Sequence, residues 1–143
     1  MELLLEADPS IGKILHYLAG AQCFVAQIDE AVVGVYVLKE TVPAKYELMN
    51  ISVAPSRQRR GIGKALLEHA IARVREGAGL RLEVGTASFG YYLTFYQRAG
   101  FRVSSVEKDF FLENYPEPLY EDGIRHTDML RLTLDLSKGK IAT

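Results

Sequence analysis

The chain has 143 residues, a formal net charge of −1 and one cysteine, and this length suits a single domain spanning residues 1–143. Apolar residues make up 48% and charged residues 24%, enough for an unaided core. One cysteine excludes an internal disulfide and a cysteine-built zinc site. No window approaches the ~20 apolar residues of a membrane span, and near-neutral charge argues against nucleic-acid binding.

Residues 3–5, all leucine, are expected to form a short first strand. Asp8-Pro9-Ser10 reads as a helix start, with Asp8 as N-cap and Pro9 at the first helical position. That helix runs through Ile11, Ile14, Leu15 and Leu18 and stops near Gly20. Residues 22–28 and 31–38 are β-rich and joined by Asp29-Glu30, an antiparallel hairpin. Cys23 lies in the apolar run Cys23-Phe24-Val25-Ala26 and is expected to be a small buried hydrophobe. Residues 46–53 form a third strand, ended by Ala54-Pro55. Ile62, Ala65, Leu66, Ala70, Ile71 and Val74 make a helical stripe over 61–76, ended by Gly77 and Gly79. A strand over 80–86, an aromatic-rich helix over 90–99 and a strand over 101–106 follow. Residues 110–126 carry two prolines and a glycine and are expected to be a loop. Residues 128–136 alternate as a half-buried strand. The order predicts an α/β (α+β) fold with helices packed on a mixed sheet.

The stretch from Asn50 to Lys64 carries the chemistry. A strand ends, a turn follows and a helix begins at Gly61-Ile62-Gly63. Free N–H groups at a helix start form an anion site suited to phosphate. Between Glu47 and Glu68 there is no acidic residue, yet Arg57, Arg59, Arg60 and Lys64 fall in that window. Basic charge opposes the helix dipole there, so an anion is expected to neutralise it. The nucleoside-triphosphate loop fails, with Gln58 where its first Gly belongs, and the dinucleotide fingerprint fails at Leu66.

Gln58-x-x-Gly61-x-Gly63 after Val53-Ala54-Pro55, with Tyr96-Gln-Arg-Ala-Gly100-Phe101 farther on, resembles the GNAT (Gcn5-related) N-acetyltransferase family. The resemblance implies a mostly antiparallel central sheet of about seven strands with splayed central strands, flanked by about four helices. It also implies transfer of acetyl from acetyl-CoA to a primary amine, with no metal. Backbone groups of Ile51, Ser52 and Val53 are then expected to hold the pantetheine arm. Amides of Gln58, Arg59, Arg60, Gly61, Ile62, Gly63 and Lys64 are expected to bind the pyrophosphate. Tyr96 is the family-type proton donor to the departing thiolate. Glu47 is the candidate base, on one face with Met49, Ile51 and Val53 unless a bulge intervenes. His126 and Asp128 are secondary candidates, with His126 expected on a surface loop; His16 and His69 are assigned no role. Where the family often has Asn, this chain reads Gly85-Thr-Ala-Ser-Phe-Gly90, leaving Ser88 as the substitute donor.

The acceptor is read from Glu107, Asp109, Glu113, Glu117, Glu121 and Asp122, interleaved with Phe110, Phe111, Tyr115 and Tyr120. Acid beside aromatic suits a cationic small-molecule amine. A coenzyme-A sensor module and a protein or peptide acetyltransferase are the alternatives. With Cys23 buried, transfer is expected to be direct, without an acyl-cysteine. Met1–Glu6 lacks the basic lead of a signal peptide, so a cytoplasmic, reducing location is expected, with no membrane partner. The last strand and the tail over 137–143 are candidates to pair with a second chain as a homodimer.

Overall fold

The computed structural model describes residues 1–137, which fall into two compact units, Met1–Leu82 and the chain from Glu83 on.

The first unit begins with a helix, α1 (Glu2–Ala7), where the leucine run predicted a strand. Leucine is a strong helix former and lacks the β-branching that favours strands. As a helix the segment buries Leu4, and Asp8 closes it, its amide donating to the Leu4 carbonyl. Helix α2 (Ile11–Leu18) is capped by Ser10, whose side chain accepts from the Lys13 amide at 3.3 Å. Asp8 instead accepts from the Ser10 amide at 3.1 Å, so the cap falls two residues later than the sequence suggests. Ile14 and Tyr17 pack with Leu4, Val35 and Val37 into one core.

Strands β1 (Gln22–Ile28), β2 (Ala31–Val42) and β3 (Lys45–Val53) form an antiparallel meander in that order. Asp29 and Glu30 both take positive φ (49° and 69°), the twist of a two-residue hairpin loop. Cys23 is exposed on β1, which pairs with β2 alone among the described residues, so the expected burial fails: an outer strand has no second neighbour to cover it. In the β2–β3 ladder Val37 faces Asn50 and Leu38 faces Leu48, leaving Met49 as an extra residue on β3. Helix α3 (Ile62–Glu76) buries Leu66, Leu67, Ala70 and Val74. It approaches β2 so closely that a Cβ on Gly34 would lie 2.8 Å from Leu66 Cδ1 and 3.3 Å from Ile62 Cγ2. Gly34 thus seats the first turns of α3, where the loop chemistry is expected.

In the second unit β8 (Met129–Asp135) lies between β4 (Arg81–Ala87) and β5 (Arg102–Glu107). Met129 is buried against the alternation because β4 offers Gly85 beside it. A Cβ on Gly85 would lie 2.7 Å from the Met129 sulfur. Helix α4 (Tyr91–Arg98) ends at Ala99, and Gly100 takes φ 101° before Phe101. The expected loop over 110–126 is built: it holds helix α5 (Phe110–Asn114) and a ribbon of β6 (Tyr120–Glu121) with β7 (Ile124–Arg125). The described chain is thus a mixed α/β protein in which β1–β2, β2–β3, β5–β8 and β6–β7 pair antiparallel, with six longer strands and a two-stranded ribbon. The tail over 138–143, read as a candidate to pair with a second chain, lies outside the described residues. Among the described residues no helix is long and apolar enough to cross a membrane.

Candidate active site

The strand-turn-helix at β3 and α3 leaves amides free at a helix start. Val53 ends the strand, and residues 55–57 form one 3-10 turn. The Gln58 side-chain amide donates to the Val53 carbonyl at 3.1 Å, folding the turn back onto the strand end. Arg59 (φ 64°) and Gly61 (φ 79°) both take left-handed backbone. Gly61 is the N-cap of α3 and offers no side-chain cap. The helical ladder there opens with the Ala65 amide donating to the Gly61 carbonyl at 3.0 Å. The amides of Ile62, Gly63 and Lys64 therefore precede the helical ladder and stand at its positive end. The first turn contains no acid. Arg59, Arg60 and Lys64 are exposed around it. Lys64 reaches Glu68 only at 4.0 Å across solvent, an ion pair worth little. Uncapped amides, left-handed glycine and basic side chains suit a pyrophosphate group. The open cleft of 130 Å³ lined by Gln22, Tyr46, Arg73, Glu76 and Gly77 lies by the other end of α3 and is too small for a coenzyme.

The bulge at Met49 reverses the expected placement of Glu47. Residues opposite each other in a ladder share a face. Ile51 and Val53 oppose Tyr36 and Gly34, on the α3 side. Glu47 opposes Lys39, on the side of Asn50 and Ser52. That side carries α1 and α2, since the Asn50 amide donates to the Leu4 carbonyl (2.9 Å) and the Tyr17 hydroxyl (2.7 Å). Glu47 is half-buried there and shares no face with Ile51 and Val53. Ile51, Ser52 and Val53 are themselves buried.

Tyr96 is 5% exposed, packed in α4 against Tyr92, Phe95 and Phe101. Burial, reinforced by Tyr92, pushes its phenol well above the ordinary tyrosine value. A phenol held in that state stays neutral through the neutral range.

His126 is 8% exposed rather than on a solvated loop. Its ring packs on Phe89 at 4.4 Å and Phe111 at 5.7 Å, and its Nε2 lies 3.0 Å from Glu121 Oε1. The second oxygen of Glu121 accepts the Tyr91 amide at 3.0 Å, so this carboxylate caps α4. Asp128 accepts the Asp109 amide at 2.8 Å. Two of the acids read as acceptor-binding or catalytic candidates are thus occupied in fixing their own loop. The sequence carried no signal for this, because Glu121 lies 30 positions from the amide it caps. A second unforeseen contact joins Tyr36 to His69, hydroxyl to Nδ1 at 2.6 Å, across β2 and α3.

An uncapped, acid-free start of a helix packed on an antiparallel sheet is consistent with a coenzyme-binding acyltransferase. The model of the acetyltransferase (GNAT) domain matches residues 19–103, more than half of the chain, and the protein belongs to the GNAT family. A GNAT family acetyltransferase from Elizabethkingia anophelis, solved with acetyl-CoA bound, is 39% identical with a TM-score of 0.91, covering 94% of this chain and 89% of that one. The N-acetyltransferase YvbK of Bacillus subtilis (strain 168) is 40% identical over 136 residues, 94% of this chain and 88% of its own. The ribosomal protein bS18-alanine N-acetyltransferase of Escherichia coli (strain K12) is 35% identical over 78 residues, 53% of this chain and 52% of its own. The chain is an N-acetyltransferase that uses acetyl-CoA as cosubstrate.

Proposed function

We propose that this protein moves acetyl directly to a primary amine of a small, cationic, amino-acid-like acceptor, with residues 1–143 serving as one catalytic domain. The observation that carries the coenzyme half is the uncapped start of α3 with Gly61 at φ 79°. In this reading the main chain of Ile51, Ser52 and Val53 lines the pantetheine arm. The amides from Gln58 to Lys64 hold the pyrophosphate, whose two negative charges replace the missing N-cap. Bound there, acetyl-CoA supplies the thioester.

Glu47 accepts the proton that the acceptor ammonium loses before its nitrogen attacks. A β3 amide stabilises the developing oxyanion. Tyr96 donates its phenolic proton to the departing sulfur as the carbon–sulfur bond breaks, and the second proton, shed by the acylated nitrogen as the amide forms, restores the phenol. The place of Tyr96 ahead of Gly100-Phe101 supports this, and burial keeps its phenol protonated through the neutral range. Direct transfer no longer rests on a buried Cys23, which is exposed. It rests on the amine itself, which attacks a thioester without an acyl-enzyme, and Cys23→Ser is expected to leave the rate unchanged.

The acid and aromatic side chains of 107–122 support a cationic acceptor. The second reading is a protein amine, favoured by the similarity over half the chain to the bS18-alanine enzyme. Thiol release from acetyl-CoA is measured with diamines, amino-acid amides and peptide N-termini. Small amines are expected to turn over, and Tyr96→Phe and Glu47→Gln to lower kcat about 100-fold. Turnover on peptides alone selects the second reading. Equal rates in wild type and both variants remove Tyr96 and Glu47 from the chemistry.

A further inference from the structure

Asn50 is 5% exposed, and only one end of its side chain is occupied. Its Nδ2 donates to the Leu4 carbonyl at 2.9 Å and to the Tyr17 hydroxyl at 2.7 Å. Its Oδ1 is fully buried and has no hydrogen-bond partner among the described residues. The two ends of the amide are not interchangeable. A carbonyl only accepts, so the atom facing Leu4 is the nitrogen, and the oxygen takes the other branch. Pinning α1 and α2 to β3 uses both hydrogens of Nδ2 and nothing of Oδ1. A buried acceptor without a donor keeps its desolvation cost, and a donor brought by a ligand removes it.

The bulge on β3 sets what lies beside this oxygen. In a regular strand, residues three apart face opposite ways. Because Met49 is extra, Glu47 and Asn50 stand opposite Lys39 and Val37, which are two apart on β2. Glu47 and Asn50 are therefore successive on the face that carries α1 and α2. Successive residues on one face lie about 7 Å apart at Cα, close enough for both side chains to reach one atom. A carboxylate and an amide oxygen both accept. One group that suits the two together has several hydrogens and a positive charge, which describes a primary ammonium.

We propose that Asn50 Oδ1 is a recognition atom for the acceptor, accepting one N–H of its ammonium while Glu47 removes the proton from another. The inference rests on the reading of Glu47 as the base. The nitrogen becomes a neutral amine, still held through an N–H at Oδ1, and its lone pair is free to attack the thioester. The site thus selects an acceptor by its N–H groups and not by charge alone. Leu4 and Tyr17 lie over the amide, so the ammonium reaches Oδ1 as α1 lifts. Helix α1 has six residues and no side-chain cap at its start, and a helix that short is marginal by itself.

Initial rates of thiol release with 1,4-diaminobutane and with glycinamide test this in wild type and three variants. Asn50→Ala removes both ends of the amide. Asn50→Asp keeps the size and the accepting oxygen but loses the donations to Leu4 and Tyr17. Tyr17→Phe removes one partner of Nδ2 and leaves Oδ1 in place. Asn50→Ala is expected to raise the amine KM about tenfold and leave the acetyl-CoA KM unchanged. Asn50→Asp and Tyr17→Phe should keep the amine KM near that of wild type, with matching circular dichroism for all. An unchanged amine KM in Asn50→Ala overturns the proposal. So does an Asn50→Asp variant that fails as Asn50→Ala does, because pinning by Nδ2 then accounts for the whole effect.

A second measurement needs no turnover. The side-chain amide resonances of Asn50, identified by their loss in Asn50→Asp, are followed against butylamine and butyltrimethylammonium. The two cations carry the same charge, and only the first has N–H groups. Butylamine alone is expected to shift the Asn50 signals, together with the backbone amides of α1. No shift, or equal shifts with both cations, overturns the docking atom. A selective shift without turnover of any amine keeps the docking atom and removes the small-acceptor reading. Turnover of small amines without the shift keeps that reading and removes the docking atom.

Discussion

Gly61 gives the sharpest test of the phosphate cradle, because its two possible costs are separable. Its φ is 79°, and a Cβ added there would have no atom within 4 Å. Any side chain therefore meets backbone strain and no steric clash. Holding a non-glycine residue in the left-handed region costs about 1–2 kcal/mol. Gly61→Ala is thus expected to weaken acetyl-CoA binding about 5- to 30-fold if the loop relaxes when free. Gly61→Asn, which tolerates this region, is expected to lose less. Gly61→Glu adds a carboxylate to the same strain. Against two pyrophosphate charges at about 6 Å in water, repulsion adds about 1.4 kcal/mol, a further tenfold. Calorimetric titration with acetyl-CoA at about 20 and 200 mM salt reads both parts. The gap between Glu and Ala should narrow with salt, and the gap between Ala and wild type should not. Equal affinities for the Ala and Glu variants would refute an anion at this turn. Wild type that fails to bind would refute the cradle altogether.

Three further outcomes follow from contacts within each unit. Asn50→Ala leaves the Leu4 carbonyl and Tyr17 hydroxyl unpartnered, and should cost about 2–3 kcal/mol in urea unfolding, with faster amide exchange in α1. Burial holds Tyr17 and Tyr36 up at about 12 against an unfolded value of 10.0. Because the folded values are the higher ones, their stabilisation is whole below pH 10 and lost as pH rises toward 12. The melting temperature should fall through that window, less steeply in Tyr36→Phe; an unchanged slope would reject burial as the cause. Gly90 takes φ 108°, and a Cβ there would strike the Glu121 carboxylate. Gly90→Ala and Glu121→Ala should each release the loop over 110–126 to limited proteolysis, and the double variant should be no worse than either. Additive effects would mean the carboxylate does not hold the loop.

The Gly-rich turn before α3 was legible because it is local. Val53-Ala54-Pro55, Gln58, Gly61 and Gly63 lie within eleven consecutive residues, and their roles depend on backbone conformation that neighbours in sequence dictate. The helical stripe of α3 and the hairpin at Asp29-Glu30 are legible for the same reason. Glu47 was readable as a candidate but not as a direction. One extra residue at Met49 turns it from the α3 side to the side of α1 and α2, and periodicity has no mark for a bulge.

By itself, then, the sequence determined the order of elements from β1 to β5, the Gly-rich turn before α3 and the family, all set by short-range pattern. The tertiary structure alone decided whether the leucine run is strand or helix, since burial of Leu4 needs α2 and β2 beneath it. It decided that Cys23 is exposed and His126 buried, because exposure depends on which distant segment covers a residue. It bound Glu121 to His126 and to the start of α4. Each of these is a long-range pairing, and long-range pairing leaves no period in the chain.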